Sequence, residues 1–270
     1  MKSPFGHLTI NQCTGQLIAC LSNGIFYFVA FVVDYRSIIT YSFVTGNISL
    51  CLLGIIIVSY FLMSLNRLVA ITLPFQYRWL FGKRSVRLLV FSNWMIPLLI
   101  SAYLMIIKDC KFEFDHYGWT FSTNQNRELC GPSLRLYLTL SQMPVTVLTV
   151  FCDFITLLIL VIGRKRIFQS KSAEIKRREM NFARQVLAQG VVLLAHSFWY
   201  NQGRNLIPGF TEVWRIFLTS TFSSNLLHVF DATVVFTCNF EFKNWLFGEK
   251  KKQTTLLLVS TIQGRIQGSH

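Results

Sequence analysis

An all-α bundle of membrane-crossing helices is the fold class this sequence predicts, and three observations predict it. Hydrophobic residues make up 52% of the 270 positions and charged residues only 14%, against roughly 25% charged in a soluble domain. A mean hydropathy of +0.45 with 25 phenylalanines supplies more apolar side chain than a soluble fold of this size hides. The apolar residues also gather into six runs, each long enough for the roughly 20-residue helix that a hydrocarbon layer of about 30 Å requires. Disordered chains are polar and poor in aromatics, and the 15 Gly and 6 Pro follow no collagen-like period. Both classes are excluded.

The first run covers about residues 13–33 and stops at Asp34-Tyr35-Arg36; the second covers about 37–63 and the third 86–107. The fourth, about 134–163, exceeds the length of one crossing and is predicted to tilt or to extend past the membrane. The fifth covers about 182–200 and the sixth 213–238. Gly15, Gly24, Gly46, Gly54, Pro97, Pro144 and Gly190 lie inside these runs. Membrane helices tolerate them because neighbouring groups satisfy the freed backbone. A cleaved leader does not fit the first run, which exceeds the about 7–15 apolar residues of a signal peptide and ends without a small-x-small site. No internal repeat of the transporter kind is visible.

Orientation follows from lysine and arginine. Lys2, the stretch Arg67–Arg87, the stretch Arg164–Arg184 and the tail from Lys243 carry 19 of the 26 basic residues; the alternate loops carry 7. Positive charge marks the cytoplasmic side, so both termini and residues 164–184 are predicted inside, and residues 108–132 outside. The net charge of +14 is then topology charge, with no soluble basic domain to bind nucleic acid. Residues 1–247 form one membrane unit, and 248–270 a disordered cytoplasmic tail. Arg164–Arg184, which contains Ser170, Ser172 and Glu174, reads as a solvated loop attracted to lipid headgroups.

The most informative stretch is Asn66-Arg67-Leu68-Val69-Ala70-Ile71-Thr72-Leu73-Pro74-Phe75-Gln76-Tyr77. It places an arginine at the cytoplasmic end of a long apolar helix, with a proline that ends the helix. Taken alone, this suits a snorkelling arginine. The stretch also resembles the rhodopsin-like G-protein-coupled receptors, whose third helix ends in Asp-Arg-Tyr followed by x-Ala-Ile-x-x-Pro-x-x-Tyr. Arg67, Ala70, Ile71, Pro74 and Tyr77 match in order, while Asn66 and Leu68 replace the Asp and the Tyr. Trp94 with Pro97, Pro144, and the aromatic run 239–247 after the last apolar run agree with that resemblance. Residues 240–247, with Lys243 and Lys250–Lys252, are expected to form a short helix in the headgroup region.

Within that superfamily the chain is most similar to the nematode serpentine chemoreceptors of class x. The likeness rests on Ser3-Pro4-Phe5-Gly6 with Leu8-Thr9 and Gln12, on Asn66-Arg67, on Phe182-x-x-Gln185-x-x-x-Gln189-Gly190, and on Cys110…Trp119…Cys130. It implies a multi-pass receptor of the plasma membrane, in some members of a sensory cilium. Such a receptor senses a small molecule and signals through a heterotrimeric G protein, with Asn66, Arg67, Pro74 and Tyr77 at the coupling surface. Two departures stand out. The six runs align with helices two to seven of the family, so the first helix is expected to be missing, the product truncated and its signalling weak or absent. The family's Asn-Pro-x-x-Tyr falls on Asp231-Ala232-Thr233-Val234-Val235, which brings a carboxylate into the last run.

Asp153 and Asp231 are the deepest acidic groups in the apolar runs. Intramembrane carboxylates are functional candidates by default, and neutral, hydrogen-bonded packing groups are the alternative. Tyr41, Tyr137, Phe198, Trp199 and Tyr200, toward the outer ends, are candidates for a ligand pocket; the interfacial aromatic belt of any membrane helix accounts for them better. His196 and His228 lack companions at ligand spacing and read as interhelical hydrogen-bonding groups. Cys13, Cys20, Cys51, Cys152 and Cys238 read as small packing residues. Cys110 and Cys130 alone fall on the oxidising side. The receptor family ties this loop to the outer end of its third helix, but residues 34–50 contain no Cys, so a bridge within the loop is expected. The sequon Asn47-Ile48-Ser49 lies inside a run and is expected to go unused.

No Gly-x-Ser lies inside an apolar run and no His-Glu-x-x-His is present, so neither an enzyme nor a cofactor is expected. An arginine-rich sensor helix and a filter loop are likewise missing. A transporter using Asp153 and Asp231 as ion or proton sites is the remaining alternative.

Overall fold

The computed structural model describes residues 4–32, 35–115, 117–123, 130, 132–134, 137, 143–167 and 173–238. Within these, only the backbone is described at 35–39, 123, 143, 160, 163–167, 173–184, 186, 201 and 238. The first helix, α1, runs Pro4–Val32 and α2 runs Tyr35–Thr72. A short α3, Pro74–Leu80, leads into α4, Lys83–Ile106. A two-stranded antiparallel hairpin follows, β1 Phe112–Asp115 and β2 Thr120–Thr123, with Phe114 opposite Phe121. Then come α5 Met143–Ile167, α6 Ala173–Leu206, α7 Glu212–Phe217, a π-helical turn Leu218–Phe222 and α8 Ser223–Cys238.

The helices replace the predicted boundaries in several places. Pro4 opens α1, suited to a first turn whose N–H groups have no helical partner, so the helix begins nine residues before the apolar run. α2 continues nine residues past Met63, because Ser64, Asn66 and Arg67 face protein rather than water. The predicted loop 164–184 is helical over 164–167 and 173–184. Pro144 is the second residue of α5 as described, and residues 138–142 before it lie outside the described residues. The hairpin is the one departure from all-α among the described residues. Residues 239–247 and the tail 248–270 lie outside the described residues.

Among the described residues, three helices are long and apolar enough to cross a membrane: Pro4–Val32, Thr40–Thr72 and Lys83–Ile106. A shorter apolar helix spans Pro144–Ile159. Gln185, Gln189 and His196 lower the apolar character of the described part of α6. The last run is divided by the π turn.

α2 is the central element, packing against α1, α4, α5 and β1. Its apolar window is 61% buried, against 28% for α1 and 22% for α4. Ala19, Leu52, Ile55, Ile56 and Tyr60 form the α1–α2 core. In hydrocarbon such contacts are held by close packing and interhelical hydrogen bonds rather than by hydrophobic expulsion. The bonds are present: the Trp94 indole N–H donates to Asn11 Oδ1 at 2.6 Å, while Asn11 and Asn93 both donate to Ser59 Oγ at 2.9 Å. One cluster thus ties α1, α2 and α4.

The hairpin lies over one end of the bundle. Cys110 is disulfide-bonded to Cys130, with Cα atoms 5.0 Å apart. Phe114 makes edge contacts with Phe26, Tyr27, Trp119 and Phe121. Gly46 of α2 sits directly under the Phe112 carbonyl, and a Cβ there would collide with it.

Candidate functional site

A set of polar side chains with little access to solvent occupies the centre of the bundle, around Asp231 of α8. Its carboxylate accepts hydrogen bonds from three glutamine amides. Gln16 and Gln12 of α1 donate to Oδ2 at 2.6 and 2.9 Å, and Gln189 of α6 donates to Oδ1 at 2.7 Å. The Tyr60 hydroxyl of α2 accepts from Gln16 Nε2 at 3.2 Å and donates to Asp231. Asp231, Gln12, Gln16, Gln189 and Tyr60 are each no more than 5% exposed. A carboxylate in hydrocarbon requires this many donors, since no water replaces them.

Arg67 belongs to the same set. It is 2% exposed, its Nη2 donates to Gln189 Oε1 at 3.4 Å, and its guanidinium lies 5.4 Å from the centre of the Phe5 ring. It lies in the electrostatic field of both Asp153 and Asp231, while the Ser64 hydroxyl bonds Asp153. Gln185 donates to Gln189 Oε1 at 3.5 Å. A small cavity bounded by Tyr60, Ser64, Arg67, Asp153 and Gln189 has room for about one water molecule. Arg67 is therefore not a snorkelling residue at the membrane edge. It is a buried cation, with a half-buried carboxyl group contributed by α5 and a buried one by α8. Asp153 and Asp231 lie 86 and 164 residues away along the chain, out of local sequence reach.

The other predicted residues fall as follows. Asn66 is buried beside Tyr77, and partial burial pushes the Tyr77 phenol up, with Asn66 opposing. Pro74 opens α3. The five outer aromatics are not gathered into one pocket. Tyr41, Phe198 and Tyr200 are exposed, Tyr137 packs with Leu50, Leu104 and the disulfide, and the Trp199 indole donates to the Leu218 carbonyl of the π turn at 3.1 Å. Cys51 and Cys152 are buried, as packing residues are, but Cys13 and Cys20 are exposed on the outer face of α1. His196 lies in the field of His228, and no group of three or more His, Cys, Asp or Glu placed to hold a metal occurs among the described residues. Asn47 is 5% exposed within α2.

Sequence reading did not assign the glutamines to the site. Their signal was present: Gln12/Gln16 and Gln185/Gln189 are i,i+4 pairs in apolar helices, which places each pair on one face. An amide pair on one face of a membrane helix needs a polar partner on another helix.

The order of these residues along the chain is that of a known family. The family model described as "Serpentine type 7TM GPCR chemoreceptor Srx" matches residues 1–239. The chain belongs to the class x serpentine receptors. A relative named "Serpentine receptor class X-43" from Caenorhabditis elegans is 40% identical over 247 residues, covering 92% of this chain and 77% of the relative. A second, "Serpentine receptor class X 45" from the same organism, is 21% identical over 282 residues, covering 97% and 76%. The receptor is accordingly a mostly helical membrane protein of a chemoreceptor family.

Proposed function

We propose that this receptor crosses the plasma membrane six times and couples an external small-molecule cue to a heterotrimeric G protein through the surface around Arg67. The spans are those of the apolar runs, with both termini inside and the Cys110–Cys130 hairpin outside. Residues 1–247 act as the receptor unit, and 240–247 lie along the inner leaflet.

The observation that carries this reading is the convergence on Arg67. The arginine of the Asn66-Arg67…Pro74…Tyr77 motif is buried and joined through Gln189 to a carboxylate of the last helix. α1, α2, α6 and α8 each supply a side chain to one hydrogen-bonded set. Interfaces of this kind hold discrete arrangements rather than deforming continuously. A cue that binds one arrangement better shifts the population toward it, and the state of Arg67 is then read at the inner face.

The test is G-protein activation in cells, normalised to surface level, for wild type, Arg67→Ala, Arg67→Lys and Arg67→Ala/Asp231→Asn. The double variant relieves an uncompensated Asp231 charge, so that loss of coupling is separated from loss of folding. Where wild type couples, the signal is expected to fall at least tenfold in all three variants, because lysine does not reproduce the planar five-donor guanidinium. Full signalling by the surface-expressed double variant would refute the reading.

A further inference from the structure

We propose that α3 and the first turn of α4 bind anionic phospholipid headgroups of the cytoplasmic leaflet. Phe75 and Trp79 would enter the headgroup–acyl boundary, with Arg78, Lys83, Arg84 and Arg87 on the phosphates. The assignment to the cytoplasmic leaflet rests on the proposed orientation; the lipid site itself does not.

Phe75 is 97% exposed and Trp79 80% exposed. At i,i+4 they share one face of α3. The opposite face is committed to the bundle: Tyr77 stacks on Phe81 at 5.7 Å, and both pack with Leu80 against Leu8, Leu62, Met63, Val69 and Val86. α3 therefore cannot roll to bury its outer aromatics. The turn into α4 fixes it further. Ser85 Oγ donates to the Trp79 carbonyl at 3.0 Å, Phe81 N–H donates to Tyr77 O at 2.8 Å, and a Cβ at Gly82 would come within 2.8 Å of the Arg78 carbonyl.

The depth of this face is set by its neighbours. α3 joins two helices that are each long and apolar enough to cross a membrane, and the connection is short, so α3 lies at the membrane surface. A tryptophan and a phenylalanine held outward there suit the interfacial region. Charge selects the lipid. Arg78, Lys83, Arg84 and Arg87 are all exposed, and residues 35–108 contain neither Asp nor Glu. Such a cluster is complementary to a leaflet carrying negative headgroups, with about 1 kcal/mol of attraction per basic residue near the surface.

The experiment places the full chain in nanodiscs of phosphatidylcholine, with or without phosphatidylserine, in which both leaflets are alike and orientation has no effect. Fluorescence quenching by acyl-brominated lipid is compared between wild type and Trp79→Phe; the difference isolates Trp79 from the other tryptophans. Phosphatidylserine retained by the protein is measured by mass spectrometry for wild type and for single Gln replacements of Arg78, Lys83, Arg84 and Arg87. Quenching of Trp79 is expected, with phosphatidylserine retention falling about two- to fivefold for each cation removed. If a Gln variant does not fold, wild-type Trp79 quenching compared between the two lipid compositions reads the same charge preference. Three results would overturn the proposal: Trp79 unquenched in folded protein, quenching indifferent to anionic lipid, or Trp79 shielded only when a G protein is added. Gln76→Cys labelling in intact and permeabilised cells reports orientation separately, so a wrong topology is distinguished from a missing lipid site.

Discussion

Replacing Arg67 with methionine tests the buried polar centre most directly. Methionine keeps most of the volume and removes the cation. Arg67 is 2% exposed and lies in the field of Asp153 and Asp231, so its loss leaves the buried Asp231 and the half-buried Asp153 without their cation. Breaking such a set costs about 3–5 kcal/mol, whereas removing all of its charges together is close to neutral. At about 2–4 °C per kcal/mol for a chain of this size, the single variant is expected to melt about 6–20 °C below wild type. The triple variant Arg67→Met/Asp153→Asn/Asp231→Asn is expected to recover most of this. Without the guanidinium on Gln189 Oε1, that amide is free to turn and accept from Asn at position 231, while Gln12 and Gln16 keep an oxygen acceptor. The measurement is the temperature at which half of the purified protein is lost from the monodisperse peak in size-exclusion chromatography. A single variant as stable as wild type, or a triple variant no better than the single, would refute the reasoning.

Gly46→Val is expected to unseat the hairpin, because its side chain meets the Phe112 carbonyl; a loss of about 1–3 kcal/mol is to be read as lowered surface expression and faster proteolysis between residues 116 and 129. Cys110→Ser removes a cross-link between residues 20 apart in sequence, worth about 3 kcal/mol in the chain-entropy model. Peptide mapping without reduction is expected to recover the linked pair from wild type, and free thiols would contradict it. In a background lacking the exposed Cys13 and Cys20, single cysteines at positions 168–172 are expected to resist an impermeant thiol reagent in intact cells, while those at 124–129 react. The opposite pattern would reverse the topology.

Much of the fold was legible in the sequence because hydropathy is a local sum. The first three apolar runs located the three described helices that are long and apolar enough to cross a membrane, and the spacing of Arg67, Ala70, Ile71, Pro74 and Tyr77 located the family. The pairing of Cys110 with Cys130 followed from the absence of any other cysteine in an outer loop. Facing directions were not legible, since helices apolar on most sides carry no stripe to show which side is buried. Tertiary packing alone decided that Cys13 and Cys20 point outward while Gln12 and Gln16 of the same helix point inward. It also decided that Phe114 and Phe121 pair across two strands between the two bridged cysteines. Above all, it decided the state of Arg67. Local sequence places an arginine near a helix end, where snorkelling is the cheapest solution. The carboxylates at positions 153 and 231 and the amide at 189 supply the surroundings that let the cation stay buried instead. Those groups lie from 86 to 164 residues away in sequence, and only the folded bundle brings them into one environment from which water is largely excluded.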